Sequence, residues 1–260
     1  MIKKITSSIL VILLLVALTF FAIFQVAQNL FSVNNITSLL QEKENGTSFS
    51  EKVINEIFVD TNKDEITKYL NQEQFEKELA NYFNQLVIYS ASNKKDSKPT
   101  TDNLRQILND AENNYEKATN KEFDKSIIDE MLNNLDSEID NVIDDYFKDN
   151  EASKKILTII YSPVKNISLG FAIFIIILIF VINKNIFLSL IYPGISFAIN
   201  GATMLLIGIV ISKSLNGQIP NLLLNNIAAQ FYKFGLIGLV VGCILIIFNV
   251  IYNKKFNSVA

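Results

Sequence analysis

The chain contains no histidine and no tryptophan, and its 260 residues include one cysteine, Cys243, and one arginine, Arg105. Without imidazole, every nucleophile pair that uses histidine as its base is excluded, as are histidine-ligated zinc sites. One cysteine rules out a disulfide within the chain and a multi-thiolate metal cluster. Proline is scarce too, at Pro99, Pro163, Pro193 and Pro220. The most informative absence is regional. All 26 acidic residues lie between Glu42 and Glu151, so long apolar stretches on either side carry none. Proton relays and aspartate-type intramembrane proteolysis need such groups within the membrane, and both are disfavoured.

The basic residues divide the chain in the same way. Sixteen of the 23 lie between Lys43 and Lys165, leaving that region at net −10. The other seven are Lys3, Lys4, Lys184, Lys213, Lys233, Lys254 and Lys255. An acidic region argues against a nucleic-acid partner, because phosphate binding requires a basic face. Abundant Lys, Asn and Ile with a single Arg point to an AT-rich coding sequence and a bacterial source.

A membrane-crossing helix needs about 20 predominantly apolar residues. Four uncharged segments meet or approach this: Ile5 to Leu30, Asn166 to Asn183, Ile186 to Ser212, and Phe234 to Tyr252. Lys3-Lys4 before the first resembles the opening of a signal peptide. At the nearest cleavage candidate, Gln25-Val26-Ala27, a bulky glutamine occupies a small-residue position, so an uncleaved anchor is expected. Lysines set the orientation. With both termini cytoplasmic, Lys3, Lys4, Lys184, Lys254 and Lys255 mark the inner ends, and residues 42–160 are extracytoplasmic. Asn183-Lys184-Asn185 then forms a tight inner turn, with Lys184 anchored at the headgroups.

The acidic region reads as helical. Phe75, Leu79, Tyr82, Phe83, Leu86 and Val87 recur at three- and four-residue spacing, and so do Leu104, Ile107, Leu108, Ala111 and Tyr115. A third stripe runs from Phe123 through Ile127, Ile128, Met131, Leu132, Leu135, Ile139, Val142 and Ile143 to Tyr146 and Phe147. A shorter helix is expected from Thr47 to Val59, and Thr100 or Thr101 is a candidate N-cap. The fold class is therefore all-α: four transmembrane helices, with a helical-bundle extracytoplasmic domain inserted between helices 1 and 2. Expected boundaries are 1–31 for the signal-anchor helix, 32–165 for the acidic domain, and 166–260 for a three-helix transmembrane region.

Candidate chemistry is sparse. Asp60, Asn62 and Asp64 match the first half of a calcium loop, but Glu65 replaces the turn glycine and Asn71 the closing glutamate, so a helix start is expected instead. Asp136, Glu138, Asp140, Asp144 and Asp145 form an acidic cluster that reads as the wet face of the third stripe. A Ser–Lys pair at Ser212, Lys213 and Ser214 lacks any oxyanion hole, and Cys243 reads as a small apolar filler. No catalytic residue, metal or cofactor is assigned.

Small residues in the apolar segments read as packing positions. Gly194, Gly201 and Gly208 recur every seven residues, and Gly235, Gly238 and Gly242 follow in the last segment. Asn200 is placed to hydrogen-bond across that contact, and a substrate path broken at Pro193 is the weaker alternative. Ile219, Leu222, Leu223, Ile227 and Phe231 predict a short amphipathic helix between Asn216 and Lys233, lying on the outer interface or the acidic domain.

The layout of one span, a large outer domain and three further spans resembles, in topology, ABC-transporter permeases of the cell-division and lipoprotein-export type. That resemblance implies a cytoplasmic coupling helix between the second and third spans, where this chain has only Asn183-Lys184-Asn185. The favoured reading is a non-enzymatic protein of the bacterial cell envelope. Its partners are the lipid bilayer and, through the acidic domain, another envelope protein.

Overall fold

The computed structural model describes residues 2–44, 47–57, 68–91, 98–122, 126, 128–130, 132–137, 141, 151–214 and 221–257. They are almost all helical, and four of the helices are long and apolar enough to cross a membrane. The chain divides into two units: Met1–Leu30 with Ser162–Ala260, and Phe31–Tyr161.

The first unit holds the apolar helices. In the first of them, Ile2–Leu30, the residues Ser7, Leu10, Leu14, Ala17, Leu18, Ala22 and Val26 form one buried face. Ile5, Ile9, Ile12, Val16, Phe20 and Ile23 are exposed on the other. A continuous apolar face of this kind is costly in water and suits hydrocarbon. The second apolar helix, Val164–Asn183, follows Pro163, which cannot continue a hydrogen-bond ladder from upstream. It ends at Lys184, which takes a left-handed conformation (φ 60°) and donates its amide to the Phe180 carbonyl. Asn185 then caps the next turn, its Oδ1 accepting from the Leu188 amide at 3.2 Å.

The third apolar segment is not one helix. A single turn, Ile186–Ser189, is followed by Leu190 and then by the long helix Ile191–Ser214. Pro193 lies in the first turn of that long helix, where its missing amide forfeits no internal bond. The break therefore falls at the segment's start, not at Pro193.

The fourth helix, Asn221–Asn257, has 37 residues. At 1.5 Å per residue it is about 55 Å long, well beyond the ~30 Å of hydrocarbon. This corrects the separate amphipathic helix expected between Asn216 and Lys233. Its described part is continuous with the last span, and Ile227 and Phe231 pack with Ala22, Val26 and Met204 inside the apolar unit. Helical spacing in a sequence does not reveal whether a helix stops where its hydrophobicity falls. Ile219 lies outside the described residues, as do the side chains of Leu222 and Leu223.

The second unit has its own core, in which Phe75, Leu79, Leu86, Leu104, Leu108, Ile128 and Leu132 are almost fully buried. Its helices include Val33–Gln41, Phe49–Ile57, Gln72–Ala91, Asp102–Thr119 and Glu151–Ile160. Of the third sequence stripe, Ile128, Leu132 and Leu135 join this core, and the other members lie outside the described residues. Thr47 and Ser48 form a two-residue antiparallel pair with Lys43 and Glu44, so the helix expected from Thr47 begins at Phe49. Ser48 and Glu51 cap that helix reciprocally. The Glu51 amide donates to Ser48 Oγ at 3.0 Å and the Ser48 amide to Glu51 Oε2 at 2.9 Å. The Ser48 amide, followed by Lys43, holds the Glu51 carboxyl below its usual range.

Asp60 to Glu65 lie outside the described residues, but Asn71 has a clear role. It caps the helix Gln72–Ala91, its Oδ1 accepting from the Gln74 amide at 3.2 Å. Thr101 occupies the N-cap of Asp102–Thr119 without a side-chain cap bond, while Thr100 Oγ1 donates to Asp102 at 2.6 Å. Phe31 and Tyr161, the first and last residues of the unit, bring their rings to 6.5 Å, and Asn84 donates to the Phe31 carbonyl. The two chain connections of this unit therefore leave from one place.

Candidate functional site

In the apolar unit, six glycines form the contact between the third and fourth apolar helices, the most extensive helix pairing among the described residues. A Cβ on Gly194 would stand 2.9 Å from Ile246 Cγ1 and 3.2 Å from the Gly242 carbonyl oxygen. One on Gly201 would meet the backbone of Gly235 at 2.6 Å and of Gly238 at 2.8 Å. On Gly242 it would meet the Gly194 oxygen at 2.7 Å, and on Gly235 it would meet Leu205 Cγ at 2.6 Å. Gly238 lies against Gly201, and Gly208 against the Tyr232 ring. Side chains at these positions would hold the backbones apart, so the glycines set the closeness of approach.

Asn200 does not cross this seam. Its Nδ2 donates to Thr19 Oγ1 at 2.9 Å, tying the third apolar helix to the first. Ser196 Oγ donates to the Val11 carbonyl at 3.1 Å in the same contact. Both bonds satisfy polar groups that would be costly to leave open in hydrocarbon.

A further tie was missed in the sequence. Asn249, 2% exposed, donates to the carbonyls of Phe187 (2.9 Å) and Leu188 (2.8 Å). Phe187 stacks on Tyr252 with ring centroids 4.6 Å apart. The one-turn helix Ile186–Ser189 is thus stitched to the last helix. An asparagine in an apolar run was the only available signal, and nothing in the sequence names its partner.

Asn183 Nδ2 donates to Ser7 Oγ at 3.1 Å. Together with the Phe187–Tyr252 stack, this gathers Lys3, Lys4, Lys184, Lys254 and Lys255 at one end of the apolar unit. Lys3, Lys184, Lys254 and Lys255 are exposed. Toward the other end, Lys165 Nζ donates to Gln28 at 2.6 Å and Asn29 to Gln230 at 3.2 Å. Cys243 is exposed on the outside of the last helix and fills no packing gap. Ser212 Oγ donates to the Ile209 carbonyl at 2.9 Å, and neighbouring residues on a helix do not face one another, so Lys213 is not aimed at it.

In the helical unit, Asp136 is more than a wet-face acid. Its carboxylate accepts from Tyr82 Oη at 2.5 Å and from Lys98 Nζ at 2.8 Å, joining three segments. Burial pushes its pKa up, yet the bonds from Lys98 and Tyr82 outweigh that and hold it below the usual aspartate range. Glu138, Asp140, Asp144 and Asp145 lie outside the described residues. Glu76, 4% exposed, accepts from Gln41 (2.6 Å), Ser50 (2.8 Å) and Gln72 (3.0 Å) and so links three helices through one buried carboxylate. A groove of about 220 Å³ between Gln72–Ala91 and Asp102–Thr119 is lined by Gln74, Glu78, Asn103, Gln106, Ile107 and Asp110.

No protein-family model, curated protein or solved structure matches this chain.

Its own chemistry is therefore the guide. The four apolar helices mark an integral membrane protein. They carry a glycine-lined helix contact and a lysine-bearing end, and the chain also holds a separately cored helical unit.

Proposed function

We propose that this is a non-enzymatic protein of the bacterial cell envelope. In this reading both termini are cytoplasmic, and the acidic helical unit is displayed outside to bind another envelope protein. The observation that carries the reading is the division of the chain into an apolar unit free of carboxylates and a separately cored helical unit that holds the acids. The five lysines at one end of the apolar unit support a cytoplasmic location for that end. The groove lined by Glu78, Asp110 and three carboxamides offers acceptors to a basic or amide-rich partner surface.

The transport reading draws less support. The place of a coupling helix is taken by one turn, Ile186–Ser189, whose carbonyls bond to Asn249 and whose phenylalanine stacks on Tyr252. Ile186 and Phe187 are the exposed side chains of that turn, and an apolar surface of two residues is a poor grip for a soluble ATPase. Crosslinking in the native membrane, followed by purification, tests the proposal. The expected result is an envelope protein recovered with the full chain and lost when residues 31–161 are deleted. Stoichiometric recovery of a cytoplasmic ATPase, retained after that deletion, would overturn it.

A further inference from the structure

Of the large apolar side chains that are exposed among the described residues, all but three belong to the apolar unit. Two of those three, Ile156 (58% exposed) and Ile159 (49%), lie one turn apart on the helix Glu151–Ile160. Residues three apart share a helix face, and Lys155 on the same side is also exposed. This helix ends just before the second apolar helix, separated from Val164 by Tyr161, Ser162 and Pro163. An extended joint of that length reaches at most about 14 Å, and each helical residue adds about 1.5 Å. Ile156 and Ile159 are therefore leashed within about 20 Å of the start of a membrane-crossing helix.

We infer that Glu151–Ile160 is an interfacial helix that beds Ile156 and Ile159 in the lipid leaflet on the helical unit's side. The occupant proposed for this face is lipid because the covalent leash holds the two isoleucines within reach of the bilayer surface. Lys155 at its flank matches the recurring pattern of a basic side chain that reaches headgroup phosphates while neighbouring aliphatic groups enter the acyl boundary. Such contact would fix the tilt of the helical unit on the membrane, a role for this segment independent of which partner the unit binds.

The chain has no tryptophan, so Ile156→Trp and Ile159→Trp each introduce a sole reporter. Asn114→Trp, at an exposed position on Asp102–Thr119, is the reference. The full chain is reconstituted in phosphatidylcholine vesicles with or without brominated acyl chains. Both isoleucine-site reporters should lose roughly half their emission to bromolipid and be shielded from aqueous iodide, with Asn114→Trp showing the reverse. Iodide access equal to that at Asn114→Trp would overturn the inference. Shielding from both quenchers would overturn it as well, since a protein contact would then cover the face. A nitroxide on Ile156→Cys in a Cys243→Ala background gives a second readout, because contact with oxygen in preference to a water-soluble nickel chelate is the lipid signature.

Discussion

Replacing Gly201 with alanine should open the contact between the third and fourth apolar helices. The added methyl would sit 2.6 Å from the Gly235 carbonyl oxygen and 2.8 Å from the Gly238 carbonyl carbon, both backbone atoms that no rotamer change can move aside. The Leu239 amide nitrogen lies closer still. Carbon contacts relax near 3.5 Å, so the helices must separate by roughly 1 Å at this crossing. Overfilling a close-packed contact costs about 1–3 kcal/mol. Alanine also favours helix over glycine by up to ~1 kcal/mol, which would mask part of the loss. Gly170→Ala provides the correction, because a Cβ there meets nothing within 4 Å. The difference between the two variants isolates the steric cost, expected at about 1–3 kcal/mol. Reversible unfolding in mixed micelles of mild detergent and dodecyl sulfate, followed by circular dichroism, measures it. Equal stability of Gly201→Ala and Gly170→Ala to within about 0.5 kcal/mol would refute the close-approach argument.

Three other outcomes are expected. Asn249→Leu leaves two carbonyls of the turn Ile186–Ser189 without their donor, so it should cost about 0.6–1.7 kcal/mol and speed deuterium uptake at residues 186–190. Asp136 has a folded pKa below its ordinary 3.8. Its pairing thus contributes fully above that value and is lost as pH falls through the lower folded one. Thermal melts should show a loss of stability below about pH 4 that is smaller in Asp136→Asn, where only the other lowered carboxylates such as Glu51 still contribute. A fragment covering residues 31–161 should melt cooperatively, because its core is internal to that unit. Millimolar calcium should leave the melting temperature unchanged, and a rise of many degrees would revive the metal reading of Asp60 to Asp64.

The helical class and the four apolar helices were legible because hydrophobic length and three-to-four spacing are read directly from residue order. The turn was legible too. Asn183, Lys184 and Asn185 supply a side-chain tie, a left-handed C-cap and an N-cap in three consecutive positions. Partner identity was not legible. Asn200 was expected to cross the glycine seam and instead bonds Thr19, since sequence spacing gives a residue's helix face but not which helix that face meets. Val33–Gln41 was not anticipated, because VNNITSLLQ mixes asparagine and threonine into too short a run for a clear apolar period. The reach of the last helix back to Asn221 was hidden by a fall in hydrophobicity, although hydrogen bonding continued through it.

The side of the membrane on which the helical unit stands can be read directly by thiol labelling of intact cells. The chain is made with Cys243 replaced by alanine and a single cysteine at Asn114, exposed in the helical unit, or at Ser258 in the C-terminal tail. A membrane-impermeant maleimide should label the cysteine at position 114 in intact cells, and the one at 258 only after the cells are opened. Labelling of 258 but not 114 in intact cells would contradict the proposed display of the acidic unit outside the cytoplasm.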